Sequence, residues 1–190
     1  MLKKIIVLGL ALVATATWSL AQIMPSPARA EGDGPYEKLI IRGVTLIDGT
    51  GAPPLGPVDI VVEKNRITQI QAVGYPGVPI NENRRPKADD KTKVMDLTGH
   101  YLLPGLIDMH GHIGGSGQGT PAEYVFKLWM AHGITTVRDP SAGNGLTWVL
   151  DHKKKSAANE ITAPRLLAYT SFGQGAKGPI INAEQAKAWV

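Results

Sequence analysis

The 190-residue chain contains no cysteine. Disulfides, a lipid-modified cysteine anchor and thiolate zinc sites are thereby excluded, and the fold must rest on its core or on metal. Histidine and carboxylate are the ligand types that remain. No internal repeat is visible beyond an alternation of strands and helices late in the chain. The apolar run from Ile5 to Ala14 is too short to span a bilayer comfortably.

That run follows Lys3 and Lys4 and precedes Ala28-Arg29-Ala30. A basic start, a short apolar stretch and an A-x-A pattern are the parts of a secretory signal peptide, expected over residues 1–30 with export to the periplasm or the medium. An uncleaved anchor is the competing reading, weakened by Thr15, Thr17 and Ser19. Removal of residues 1–30 takes away Lys3, Lys4 and Arg29 and no acid, so the formal charge falls from +4 to +1. The basic character is therefore mostly a targeting signal and makes no case for nucleic acid. No stable membrane span is expected after cleavage.

Residues 31–103 read as a β-rich unit. Leu39 to Ile47 is apolar and alternating, Asp48 to Pro54 is a turn cluster, and Val58–Glu63 with Arg66–Ala72 forms a hairpin about Lys64-Asn65. A small antiparallel unit is the economical arrangement. Residues 75–92, rich early in proline and glycine, read as a mobile surface loop without chemistry.

The segment Leu103 to His112 reads as a short buried strand. Alternation puts Asp108, His110 and His112 on one face, so two imidazoles converge. Thr120-Pro121-Ala122-Glu123 has the form of a capping box opening a helix with Val125, Leu128 and Trp129 on its apolar face, stopped at Gly133. Ile134 to Asp139 follows as a β-branched strand, Leu146 to Ala157 as a second helix, Arg165 to Thr170 as a third strand, and Asn182 with Gln185 starts a third helix. Strand-helix-strand order places His110 and His112 at the carboxyl end of the first parallel strand, where α/β barrels keep their active sites. The expected architecture is α/β: part of a β-sandwich, then the first three strand-helix units of an incomplete TIM-like (β/α)8 barrel over residues 104–190.

Two imidazoles on one face can hold a divalent metal, zinc first among candidates, which lowers the pKa of bound water to about 7 and polarises a carbonyl. Asp108 lies one strand step deeper and is read as supporting the ligands or the fold rather than binding metal. Arg138 and Asp139 are adjacent, so at most one faces the site, and both are read as structural ion pairs over substrate contacts. Tyr169 and Thr170 end the third strand, where one of them can line a pocket. His100, His132 and His152 are read as surface residues.

Three stretches resemble the amidohydrolase superfamily of metal-dependent hydrolases: Ile41-Arg42-Gly43-Val44-Thr45-Leu46-Ile47-Asp48-Gly49, then Pro104-Gly105-Leu106-Ile107-Asp108-x-His110-x-His112, then Gly133-Ile134-Thr135-Thr136-Val137-Arg138-Asp139. The resemblance implies that the β unit is completed by strands contributed after the barrel. It also implies that members with two metals add a carbamylated lysine from the fourth strand, histidines from the fifth and sixth, and an aspartate from the eighth that takes the proton of the attacking water. Imidazolonepropionase-like and dipeptidase-like members are the most similar, so the substrates implied are small amides, cyclic amides, acyl amino acids or dipeptides.

A barrel of eight units needs about 250 residues, more than the chain provides. The expectation is therefore an amino-terminal part of an exported metal-dependent amidohydrolase that cleaves C–N bonds, inactive by itself, with its general base beyond Val190 and one or two metal ions in the complete enzyme. The alternative is a short non-catalytic remnant or binding module with weak metal affinity. The sequence leaves oligomerisation open.

Overall fold

The computed structural model describes residues 26–114 and 119–190. Most of the expected signal peptide, residues 1–25, lies outside them.

The first layer is a five-stranded sheet. Strand β1 (Lys38–Leu46) pairs antiparallel with β2 (Leu55–Glu63), which pairs antiparallel with β3 (Arg66–Ala72). The β2–β3 turn at Lys64-Asn65 is the expected two-residue hairpin, with Lys64 at φ 54. On its other edge β1 runs parallel to β4 (Thr92–Asp96) and to the two-residue β5 (Tyr101–Leu102). The sheet is mixed, which corrects the expectation of an antiparallel unit. Parallel pairing is set by the long 73–91 connection, which has no local periodicity to reveal it.

That connection is fastened rather than loose. Val73 is fully buried, Asn81 N–H donates to Val73 O at 2.7 Å, and a single 3-10 turn at Glu82–Arg84 delivers Arg85 to Asp59. Asp59 is fully buried on β2, where Oδ1 accepts Gly43 N–H at 2.9 Å and faces Arg85 Nη1 at 3.3 Å. The expected surface loop is largely exposed, and contacts with distant residues anchor it at Asn81 and Arg85. Val44, Val58 and Ile60 make the small core beneath, with Ile41, Leu46, Val62, Leu97 and Leu102 against them.

The second layer is a parallel three-stranded sheet in the order β6 (Leu106–Asp108), β7 (Ile134–Asp139), β8 (Arg165–Ala168). Helix α1 (Ala122–Ala131) crosses from β6 to β7, α2 (Leu146–Ala157) from β7 to β8, and α3 (Ala183–Trp189) follows β8. Helix α1 begins at Ala122 with Pro121 in the cap position, one place later than expected, and is capped at His132 before Gly133, whose φ of 76 suits a glycine stop. Helix α3 starts as read: the Asn182 side chain accepts Gln185 N–H at 2.9 Å.

Phe126 of α1, Val149 of α2, Val137 of β7 and Leu166 of β8 are each almost fully buried and form one core with Ile113, Ala122, Ala142 and Ile161. Leu106, Ile107 and Met109 remain 58–61% exposed. Parallel sheets are usually covered on both faces, and here the apolar residues of β6 face outward.

His152 contradicts its expected surface position. It is fully buried on α2, its ring stacked on Trp148 with centroids 3.6 Å apart, and Nδ1 lies 2.9 Å from Trp148 O. The neighbouring Lys153-Lys154-Lys155 marks a polar face, but His152 projects one step around the helix onto the apolar side.

Candidate metal centre

Strand β6 stops at Asp108, short of both histidines. Asp108 Oδ1 accepts His110 N–H at 2.9 Å, a local bond that turns the chain and competes with strand pairing. Simple alternation therefore does not carry the two rings. They converge all the same, because Gly111 N–H still reaches Arg138 O of β7 at 3.1 Å and Arg138 Nη1 donates to Met109 O at 3.3 Å. His110 and His112 meet edge to face, centroids 5.1 Å apart and planes at 78°.

The closeness depends on Gly111. A Cβ there would sit 2.7 Å from Val137 Cγ1 and 2.8 Å from Trp129 Cζ2. Only a residue without a side chain lets the turn press against β7 and α1.

His112 has a defined outer side. Its Nδ1 lies 3.3 Å from Ser141 Oγ and 4.0 Å from Asp139 Oδ1. Asp139 is buried at the end of β7, and the same Oδ1 accepts the N–H groups of Ser141 and Ala142 at 3.1 Å each. Ser141 is thus the hydrogen-bond neighbour of Nδ1, with the Asp139 carboxylate behind it, and both lie on the side of the ring away from Nε2. Asn144 Nδ2 donates to Ile113 O at 2.7 Å and ties the β7 loop to the backbone just past His112.

The remaining candidates sit around this point. Arg138 lays its guanidinium over the Tyr169 ring at 4.5 Å, a cation–π contact. Neither Arg138 nor Asp139 makes an ion pair with Lys, Arg, Asp or Glu among the described residues. Tyr169 is half exposed, with its N–H on Asp139 O at 3.0 Å, and Thr170 is half-buried just beyond. Ser141 went unread in the sequence. The signal available was its place two residues after a strand-ending aspartate, where Asx turns form.

The donor set suits a metal in part. Two imidazoles are accepted ligands for zinc, and these two are neighbours with centroids 5.1 Å apart. A third ligand is missing: no group of three His, Cys, Asp or Glu able to hold a metal occurs among the described residues.

No family model matches the chain. It is similar to adenine deaminase 2 of Rhizobium etli, 35% identical over 132 residues covering 65% of this chain and 19% of that protein. A stretch of 46 residues is 54% identical to adenine deaminase of Methanoculleus marisnigri, covering 24% of this chain and 8% of that protein. Among solved structures, molinate hydrolase superposes with TM-score 0.57 at 24% identity, covering 73% of this chain and 31% of that one. A Xaa-Pro dipeptidase with bound methionine gives 0.55 at 23% identity, covering 76% and 37%. The chain thus spans about a fifth of the length of the curated relatives it matches. These similarities support the resemblance of the chain to an amino-terminal portion of the amidohydrolase superfamily.

Proposed function

We propose that this chain is the metal-binding opening segment of an exported amidohydrolase that cleaves C–N bonds in small molecules. The observation that carries the reading is the paired His110 and His112 rings just past the carboxyl end of a parallel strand, 5.1 Å apart. In this reading β6, β7 and β8 are the first three strands of a (β/α)8 barrel, and the outward-facing Leu106, Ile107 and Met109 face strands that follow.

His110 and His112 would hold a divalent cation, which supplies Lewis acidity and a water whose pKa falls to about 7. Ser141, 3.3 Å from Nδ1, with Asp139 behind it, would hold the His112 ring in the orientation that ligation requires. Arg138, held over Tyr169, lines the rim on which a substrate would rest. In the overall reaction water adds its oxygen to the electrophilic carbon, the C–N bond breaks, and the nitrogen leaves carrying the proton. The group that moves this proton lies outside the 190 residues in this reading.

Amides, cyclic amides, acyl amino acids and dipeptides are the proposed substrates. The similarity to adenine deaminases at 35% identity favours a second class, an amino-substituted nitrogen ring. The lack of a third ligand among the described residues supports the alternative that the segment binds metal weakly and performs no catalysis alone.

The assay is hydrolysis of acyl amino acids, cyclic amides and adenine with added zinc or manganese. The 190-residue chain should be inactive, and a chain extended to carry the later ligands should lose turnover on His110→Ala or His112→Ala. Metal-dependent turnover that survives both substitutions would exclude the reading.

A further inference from the structure

We propose that the leader is removed after Ala21, so that residues 22–30 stay in the mature protein and Ser26 to Arg29 form a strap fastened to α2. This rests on the export reading and assigns its processing site. The Ala28-Arg29-Ala30 pattern would instead set the mature terminus at Glu31. The fold needs the residues that such a cut discards. Ser26 is buried at 7% exposure, and its N–H donates to Nε2 of the fully buried His152 at 2.9 Å. Arg29 N–H donates to Glu160 O, past the end of α2, at 2.7 Å. The Arg29 guanidinium then bonds the carbonyls of Glu31 and Asp33, and Glu31 pairs with Lys127 of α1 at 3.1 Å.

The imidazole explains why the strap matters. Nδ1 faces the Trp148 carbonyl, so Nδ1 carries the proton and Nε2 is an acceptor. Without Ser26 that acceptor has no donor, and buried polar groups are seldom left so. Phe126 and Trp148 flank the same ring and offer it no second donor from their side chains' carbon faces.

An upstream site is present in the sequence. Ser19-Leu20-Ala21 is a small-x-small pattern close behind the apolar run that ends at Ala14, whereas Ala30 lies much farther along. Leaders place the cut shortly after the apolar segment. The host's leader peptidase would hydrolyse the Ala21–Gln22 bond, with the hydroxyl of water going to the Ala21 carbonyl and its proton to the Gln22 nitrogen.

The test is expression of the chain with its own leader in a bacterial host, followed by intact mass and amino-terminal sequencing. A terminus at Gln22 is expected, with Ala21→Phe accumulating precursor and Ala30→Phe processed like the parent. Any other processed terminus, Glu31 included, overturns the assignment, as does normal processing of Ala21→Phe. A product retaining Lys3 and Lys4 refutes export itself, which separates that failure from a misplaced site. Chains made without a leader and starting at Gln22 or Glu31 should differ in unfolding midpoint, the longer being more stable, and equal midpoints would contradict the strap.

Discussion

The backbone N–H of Ser26 donates to Nε2 of His152 across 126 positions of sequence, in a place closed to solvent. The bond requires a neutral ring, since a protonated imidazole has no lone pair to accept with.

Acid should therefore weaken the fold through His152. Burial holds its pKa below the ordinary histidine value and Lys155 assists, while the Trp148 carbonyl and Asp151 act the other way. The unfolded chain takes up this proton near pH 6.5, the folded chain only at lower pH. Between those points the unfolded state binds more protons. The contribution is therefore complete above the ordinary value and is lost as pH falls below it, by at most about 1.4 kcal/mol per pH unit. Urea unfolding should show this slope in the parent and a shallower one in His152→Gln.

The Asp59–Arg85 pair should be costly to break from one side. Arg85→Leu leaves a buried carboxylate with the Gly43 N–H but without its cation, and a loss of about 3–5 kcal/mol is expected. Chemical denaturation reads it directly. A change within experimental error would mean that solvent reaches Asp59.

Gly111→Ala should disturb the proposed metal centre by crowding Val137 and Trp129. A stability loss of about 1–3 kcal/mol is expected, together with weaker zinc binding, because the turn that brings His110 to His112 must open. Calorimetric melting and zinc titration on the same sample test both effects.

Ser141→Ala separates orientation from folding. It removes the hydroxyl 3.3 Å from His112 Nδ1 and leaves both backbone bonds to Asp139 available. Metal affinity should fall about tenfold with little change in the melting temperature. Unchanged affinity would assign Ser141 to the loop alone.

Local chemistry made some of this molecule readable and distance concealed the rest. The Lys64-Asn65 hairpin, the Asn182 cap and the glycine stop at Gly133 are decided within a few residues, and each lies where turn and cap preferences put it. The parallel pairing of β1 with β4 and the Asp59–Arg85 bond join residues dozens of positions apart, which no periodicity reports. His152 was obscured by the lysines beside it, and its partner Ser26 lies in a stretch that resembled a cleavage signal. At the candidate metal centre, alternation predicted the convergence of His110 and His112 by an extended strand. The chain reaches a similar convergence through a turn at Asp108 and a glycine contact.

The central claim is that His110 and His112 bind one metal ion together. Titration of the chain with zinc, followed by NMR of the imidazole nitrogens, tests it without reference to activity. Nε2 of His110 and of His112 should shift in concert with one saturation curve while His100 and His132 stay unmoved, and either alanine substitution should abolish the response of the other ring. Zinc shifts that appear first at His100 or His132, or that persist at one ring after the other is removed, would contradict it.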